Sequence, residues 1–220
     1  DRIELSRQLV ALEPGPETVL ALLDSVRRAG LAILPWSENT LAWRTRVQCL
    51  RDWCPDLALP ELSDAGLLAR LESWLPPLLD GKTRVSQIAH GALDGVLKQA
   101  CDYALLRTIE QEAPNQLLMP SGMQRRLEYA LGQPPVLAVK LQELFGCAET
   151  PRIARGRVPV TLHLLSPGGR PIQVTQDLRG FWDRTYAEVR KELKGRYPRH
   201  PWPEDPWQAS ATHRAKPRGT

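Results

Sequence analysis

The tetrapeptide "DGKT" at residues 80–83 is the stretch whose residue types and spacing come nearest to catalysis. Gly-Lys-Thr closes the loop in which backbone amides and a lysine hold the phosphates of a nucleotide. That loop needs a glycine five residues before Gly81, but Pro76 occupies this position, and no strand pattern or glycine-rich run precedes it. We interpret the tetrapeptide as a solvent-exposed turn after a helix. Because the sequence also lacks serine-hydrolase, dinucleotide-binding and paired-histidine motifs, we predict no catalytic residues.

Cysteine and histidine are the other residue types that could support chemistry, here as metal ligands. Cys49 and Cys54 lie five residues apart on a predicted helix, so their side chains face different directions. No C-x-x-C pair occurs, and no histidine stands at ligand spacing. We therefore predict no metal site, and thiols that are buried or idle in a reducing cytosol. The four cysteines and four histidines of the sequence are Cys49, Cys54, Cys101, Cys147, His90, His163, His200 and His213.

Basic residues offer a different chemistry, the binding of an anion. The net charge is +4, but residues 179–220 contain ten Lys or Arg and five acidic residues, and the other 178 residues sum to about −1. Such a segment is typical of contact with nucleic acid, although a solvated helix face followed by a basic tail has the same composition. The candidate nucleic-acid-binding residues are Arg125, Arg126, Arg184, Arg190, Lys191, Lys194, Arg196 and Arg199.

Residues 1–114 show helical periodicity and predict an N-terminal helical bundle. A first run of apolar residues at helical spacing stops at Gly30. Ser63 is the predicted N-cap of the third helix, which should end at Pro76-Pro77. The predicted helices after the first cover residues 38–54, 63–75 and, as one or two helices, 85–112.

Residues 115–207 change period and predict an α+β domain in the order hairpin, helix, hairpin, helix. The first hairpin turns at residues 120–122, and the second turns at the Ser-Pro-Gly-Gly sequence of residues 166–169. Between the hairpins, "PPVLAVKLQELFG" at residues 134–146 places apolar residues at helical spacing. This run therefore predicts a short helix that ends at its glycine.

The last predicted helix covers about residues 178–195, with Asp177 or Thr175 as its cap. Its apolar residues form one stripe, and most of its arginines and lysines lie off that stripe. The predicted fold class is thus α+β, with an N-terminal helical bundle followed by a hairpin-helix-hairpin-helix domain and a proline-rich C-terminal strap.

The strap is the segment "RYPRHPWPEDPW" at residues 196–207, and its four prolines predict an extended conformation. Because such a segment cannot stabilise itself, we predict that buried aromatic anchors dock it against the domain. Each anchor would contribute roughly 1.5–3 kcal/mol. The side chains of Arg196, Arg199 and His200 would stay exposed to solvent. The alternative is that the tryptophans stack on bases, worth about 1–3 kcal/mol per base. A disordered basic tail is predicted over residues 208–220. The predicted anchors are Tyr197, Trp202 and Trp207.

Hydropathy and the first residues of the sequence indicate the cellular compartment that we expect for the protein. No apolar run approaches the roughly 18 residues of a membrane span, and the opening "DRIELSRQLVALEPGPE" has no apolar core of a secretory signal. We expect a soluble, cytoplasmic protein. Because the sequence begins without Met, we also expect it to be a piece of a longer chain.

Three runs carry a resemblance to a known family: "PPVLAVKLQELFG", "TPRIARGRVPVTLHLLSPGGRPIQVTQDLRGFW" and "YAEVRKELKGRYPRHPWPEDP". In these runs the chain resembles the C-terminal region of the HrpB family of bacterial DEAH-box ATP-dependent helicases. The resemblance is dense over residues 117–206. The segments "GLAILPWSE" and "LSDAGLLARLESWL" extend it into the first half of the chain.

The resemblance implies an accessory region that helps engage single-stranded nucleic acid, RNA or DNA. The ATPase of the family resides in two RecA-like domains with a phosphate-binding loop and a DEAH box, and neither motif occurs in this sequence. ATP and Mg²⁺ would therefore belong to the full-length hydrolase, and this fragment alone would be neither an enzyme nor a cofactor binder. The implied partners are the strand and the helicase core domains of the same chain. The alternative is a protein-interaction or structural module that recruits a partner to the helicase.

Overall fold

A computed structural model gives the structure of the protein and describes residues 13–214. The expectations about the secretory signal and the end of the basic tail fall partly on residues 1–12 and 215–220, which lie outside the described residues. The domain boundaries after residues 114 and 207 stay predictions. The described chain forms two compact units, made of residues 13–44 with 60–102 and of residues 45–59 with 103–214.

The first unit is helical. Its helices are α1 (Pro16–Ala29), the first part of α2 (Glu38–Trp53), α3 (Asp64–Ala69), α4 (Leu71–Trp74), α5 (Pro76–Leu79) and α6 (Ala92–Lys98), with 3-10 turns at Leu31–Ile33 and Val85–Gln87. Gly30 ends α1 with a φ of 81°, which glycine adopts at no steric cost. Ser63 caps α3 by accepting the backbone N–H of Gly66 at 3.1 Å.

The predicted third helix is divided, and its predicted end is wrong. Arg70 separates α3 from α4, and Pro76 does not end the helical segment but begins α5. Proline is tolerated there because the first N–H groups of a helix have no intrahelical partner. The buried side chains of this segment are Leu67, Leu71, Trp74, Leu75 and Leu79.

The second unit combines helices with a mixed sheet, and it confirms the α+β class. Its helices are the rest of α2, α7 (Tyr103–Glu112), α8 (Leu178–Arg184) and α9 (Tyr186–Arg196). Its strands are β1 (Gln116–Leu118), β2 (Gln124–Glu128), β3 (Val136–Lys140), β4 (Arg152–Ile153), β5 (Val158–Pro159), β6 (Thr161–Leu165) and β7 (Pro171–Thr175). The five-stranded sheet has the order β1-β2-β3-β6-β7, and β4 pairs with β5 separately.

Both predicted hairpins are present, and one parallel pair joins them. β1 pairs antiparallel with β2, and β6 pairs antiparallel with β7. β3 pairs parallel with β6, with Leu137 opposite Leu162 and Val139 opposite Leu164. All four of these side chains are buried, so the centre of the sheet lies in the core of the second unit.

The helix predicted over residues 134–146 is wrong, because this run forms β3 followed by a 3-10 turn at Leu141–Glu143. Leu137, Val139 and Leu141 are buried alternately, which is the period of a strand. The turn then brings Leu144 into the core as well. The helical spacing of the leucines therefore arises from a strand that ends in a turn, and β-branched valines within the run favour the strand.

The predicted last helix is present but divided into α8 and α9 at Thr185. Asp177 caps α8 as predicted, since its carboxylate accepts the backbone N–H of Gly180 at 2.8 Å. Trp182 and Tyr186 pack beside Phe145, with ring centroids 6.0 and 6.1 Å away. Among the described residues, no helix is long and apolar enough to cross a membrane.

Candidate nucleic-acid interface

The exposed cations of α9 form the largest group of predicted binding residues that lie together. Buried Tyr186 and Leu193 fix one side of the helix, seven residues apart. Away from that side Lys191 and Lys194 are exposed, Arg196 is exposed at the end of the helix, and none of the three forms an ion pair with another described residue. Because residues three apart on a helix are neighbours, Lys191 and Lys194 present their charges together. Arg196 is two residues after Lys194 and so points to a different side of the helix. We call Lys191 and Lys194 the α9 basic face.

Three other predicted binding residues have carboxylate partners within the second unit. Arg125 forms two hydrogen bonds, of 2.6 and 2.7 Å, with Glu143. The two remaining ion pairs are Arg184 with Asp177 at 2.7 Å and Arg190 with Glu204 at 2.9 Å. A paired guanidinium offers less attraction to a phosphate, because its charge is already compensated.

Arg126 and Arg199 are the remaining predicted binding residues, and both are exposed. Arg126 lies on β2 next to Arg125, and successive strand residues point to opposite faces. Arg199 lies in the strap, two residues after Tyr197. The structure thus places the eight predicted residues in four groups: the α9 basic face, Arg196 at the end of α9, the carboxylate-paired arginines and these two exposed arginines.

The strap contacts the second unit through backbone carbonyls at three positions. The hydroxyl of Tyr186 donates to Pro203 at 2.9 Å, and the guanidinium of Arg190 donates to Trp202 at 2.9 Å. The N–H of Gly146 donates to the carbonyl of Pro206 at 2.8 Å. Further along, the N–H of Thr212, in the first part of the predicted disordered tail, donates to the Gln142 carbonyl at 3.0 Å.

The three predicted anchors are half-buried and each has a contact within the second unit. The indole N–H of Trp202 donates to the carbonyl of Tyr197 at 2.9 Å. The ring of Trp207 lies 5.5 Å from the guanidinium of Arg179, within cation-π distance. The hydroxyls of Tyr197 and Ser166 lie 3.5 Å apart.

His200 is half-buried, and the expectation that the docked strap leaves its side chain exposed to solvent is wrong. Its ring packs edge-on against Tyr197 at 6.2 Å, and its Nδ1 is buried without a hydrogen-bond partner among the described residues. Burial lowers the pKa of His200, and the positive charges of Lys140 and Arg199 lower it further. His200 is therefore kept in its neutral form near neutral pH.

Sequence reasoning missed a groove between β7 and the end of α9. Its volume is about 250 Å³, and Arg170 and Arg196 both line it. Arg170 follows the Ser-Pro-Gly-Gly turn. An arginine at the end of a hairpin turn is the sequence feature that could have indicated an anion-binding groove here. The other lining residues are Ser166, Pro171, Ile172, Val189, Glu192, Leu193 and Tyr197. We call this site the β7–α9 groove.

The residues first considered for catalysis and metal binding have surroundings that do not favour that chemistry. The "DGKT" tetrapeptide forms a turn after α5, where Lys82 donates to the carbonyl of Asp80 at 3.3 Å. Burial and the charge of Asp52 raise the pKa of the Cys49 thiol to about 11, which disfavours the thiolate. Within residues 13–214, no three His, Cys, Asp or Glu residues are grouped so that they could hold a metal ion.

The comparison with family models decides the family. The model of HrpB_C, described as "ATP-dependent helicase C-terminal", matches residues 74–206. The chain belongs to this family. The HrpB_C match includes all eight predicted binding residues and the whole β7–α9 groove.

Similar proteins agree with membership of the HrpB_C family. The chain is 37% identical to the ATP-dependent RNA helicase HrpB of Escherichia coli (strain K12), over 98% of this chain and 27% of that protein. A crystal structure of the E. coli DExH-box NTPase HrpB covers 94% of the chain and 26% of its own, with 38% identity and a TM-score of 0.86. A second, of the E. coli DEAH/RHA helicase HrpB, covers 90% and 25%, with 37% identity and a TM-score of 0.74. The chain thus spans about a quarter of these relatives.

Proposed function

We propose that this chain is the accessory C-terminal region of an ATP-dependent RNA helicase and that it holds single-stranded nucleic acid on the α9 basic face. The observation that carries the proposal is the exposure of Lys191, Lys194 and Arg196 on one helix, without ion-pair partners among the described residues. The relative from E. coli is named as an RNA helicase, which supports RNA as the strand. The location that we propose is cytoplasmic.

Phosphate contacts are the interaction that such a face can make. Lysine is a strongly hydrated point charge, whereas an arginine can bind a phosphate through two parallel N–H groups. Each neutralised phosphate releases counterions. The logarithm of the binding constant for a single strand therefore falls linearly with the logarithm of the salt concentration, with a slope of about −0.7 per phosphate contact. A face of two lysines therefore gives weak, sequence-tolerant binding, which suits a region that follows a moving strand.

ATP hydrolysis belongs, in this proposal, to the part of the helicase outside this chain. The sequence contains no complete phosphate-binding loop, because Pro76 stands where that loop needs its first glycine. ATP and Mg²⁺ would be bound by the RecA-like core domains that the family resemblance implies. The core domains of the same polypeptide would then move the strand while the α9 basic face holds it.

Fluorescence anisotropy of labelled single-stranded RNA and DNA across a salt series tests the proposal. We expect binding that weakens with salt, and a Lys191→Ala, Lys194→Ala variant that loses most of it. The charge-matched control is Lys82→Ala, Arg107→Ala, which removes two cations far from α9 in sequence and should leave the affinity unchanged. Absence of binding at low salt, or equal loss in both double variants, would contradict the proposal.

A second candidate function, binding of the helicase core, is favoured by an apolar groove beside the edge strand β1. The groove has a volume of about 510 Å³, and the side chain of Leu118 within it is 69% exposed. Edge strands and exposed apolar grooves are typical protein-binding features. The lining residues are Leu117, Leu118, Met119, Pro120, Gly122, Leu144, Cys147 and Pro151.

Association in trans tests this second candidate. The fragment and the separately purified core domains of the full-length protein would be mixed and their affinity measured by calorimetry. Leu118→Asp should weaken the complex, because it places a charge in an apolar contact. Leu131→Asp is the matched control, since Leu131 is 60% exposed but does not line the groove. Equal affinities for the two variants would exclude this groove as the docking site.

A further inference from the structure

We propose that the β7–α9 groove binds one nucleotide of the strand, with the base against its apolar floor and the phosphate at Arg170 and Arg196. This inference rests on the proposed function, because it adds a base subsite on another side of α9 from the α9 basic face. Arg196 lines the groove at the end of α9, so a strand that contacts Lys191 and Lys194 reaches the groove by passing around the end of the same helix.

The size and lining of the groove suit a single base. Drug-sized ligands occupy pockets of about 300–1,000 Å³, so a volume of about 250 Å³ fits a smaller, flat body. Ile172, Val189 and Leu193 supply apolar surface, and Tyr197 adds an aromatic ring. Aromatic and aliphatic side chains of this kind bind the faces of bases without selecting among them, because every base has a π-face.

The two arginines lie on different elements that approach each other at the groove. Arg170 ends the turn of the β6–β7 hairpin, and its backbone N–H donates to the hydroxyl of Ser166 at 3.0 Å. The N–H of Ser166 donates to the carbonyl of Arg170 at 2.8 Å, which closes the turn. The turn thus holds Arg170 in place at the groove that Arg196 lines from the end of α9.

The hairpin turn and Tyr197 approach each other closely at the groove. A Cβ atom added at Gly168 would lie 2.7 Å from the hydroxyl oxygen of Tyr197, closer than real Cβ contacts. Glycine is therefore the residue that allows this approach.

Glu192 also lines the groove and determines how the strand can enter. Its carboxylate repels a phosphate, so the backbone must pass on the side of Arg170 and Arg196. We therefore expect Glu192→Gln to tighten strand binding by a few-fold at low salt. The same substitution would have no such effect if the groove held an uncharged ligand.

The test compares a labelled adenine decamer with an abasic decamer of the same backbone, using anisotropy at low salt. Ile172→Trp fills the groove and should weaken adenine binding about tenfold, the amount expected for one lost base contact, while abasic binding stays unchanged. Val174→Trp is the matched control, because Val174 lies on the same strand, is 59% exposed and does not line the groove. Arg170→Ala, an exposed substitution, should weaken both oligonucleotides several-fold.

The outcomes separate this inference from the proposed function. Selective loss of adenine binding in Ile172→Trp, with loss of both in Arg170→Ala, supports the groove. Equal affinities of Ile172→Trp, Val174→Trp and Arg170→Ala overturn the groove, but binding that still depends on Lys191 and Lys194 leaves the proposed function intact. No binding by the unaltered chain overturns both.

Discussion

The guanidinium of Arg125 lies 2.6 and 2.7 Å from the two carboxylate oxygens of Glu143, whose side chain is fully buried. A buried carboxylate without a partner is costly, because the core cannot solvate its charge. Arg125 is 30% exposed, so the pair lies at the edge of the core. The hydrogen bonds to Glu143 also raise the pKa of Arg125. This arginine therefore has a structural role that its sequence position did not indicate.

Arg125→Ala should lower the free energy of unfolding by about 2–3 kcal/mol, since it leaves Glu143 buried and unpaired. The expected loss is below that of a fully buried pair because Arg125 is partly exposed. Arg126→Ala is the neighbouring control and should change stability by less than about 0.5 kcal/mol. Urea denaturation of both variants measures the difference. Equal midpoints would mean that the Glu143 carboxylate finds another partner.

Gly146 donates its N–H to Pro206 of the strap and also approaches Ala209, two residues beyond the strap, so its substitution should report this contact. Gly146 and Gly132 have φ values of 77° and 71°, so alanine at either position should cost about 1 kcal/mol of left-handed strain. A Cβ at Gly146 would also lie 3.2 Å from the carbonyl oxygen of Ala209, whereas one at Gly132 meets no atom within 4 Å. Gly146→Ala should therefore be more destabilising than Gly132→Ala in thermal unfolding. Equal losses would contradict the close approach of Ala209, two residues beyond the strap, to this turn.

His200 should make stability depend on pH. Its pKa is lower in the folded protein than the ordinary value of 6.5, so the unfolded chain binds the proton more tightly. The stabilisation is complete above about pH 6.5 and is lost as the pH falls toward the folded pKa. We expect the unfolding free energy to decline over this range in the unaltered chain and to decline less in His200→Gln. Parallel pH profiles, after alignment at pH 8 where the histidine is neutral in both states, would refute this role.

Local chemistry made parts of the fold predictable from sequence. The caps at Ser63 and Asp177 need only a side chain and an N–H three residues later. The run that forms β3 was predicted wrongly, because its leucines have helical spacing while its valines favour a strand, and pairing with β2 and β6 decides between the two. Tertiary pairing therefore overrode a local pattern at the centre of the sheet.

In the candidate site, the exposure of the lysines could be predicted from sequence, but the ion pairs of the arginines could not. Helical periodicity is enough to place Lys191 and Lys194 on the exposed side of α9. The partners of the other arginines depend on the fold, since Arg125 and Glu143 are 18 residues apart in sequence and Arg190 and Glu204 are 14 apart. Periodicity identifies an exposed basic residue, but only the folded chain shows which charges are already compensated.

The adjacent residues Arg190 and Lys191 provide the sharpest test of that distinction. Each substitution by alanine removes one positive charge from α9, but Arg190 donates to the Trp202 carbonyl and pairs with Glu204, whereas Lys191 is exposed. Arg190→Ala should lower the unfolding free energy by about 1–2 kcal/mol and leave the salt slope of strand binding unchanged. Lys191→Ala should change stability by less than about 0.5 kcal/mol and reduce that slope by about 0.7.

Both readouts are needed, because a destabilised variant also binds less when part of it is unfolded. The slope against log salt, measured well below the melting temperature, reports phosphate contacts independently of the folded fraction. A reduced slope for Arg190→Ala would mean that the Glu204 pair opens to admit a phosphate. An unchanged slope for Lys191→Ala would mean that the strand does not contact the exposed ammonium of Lys191.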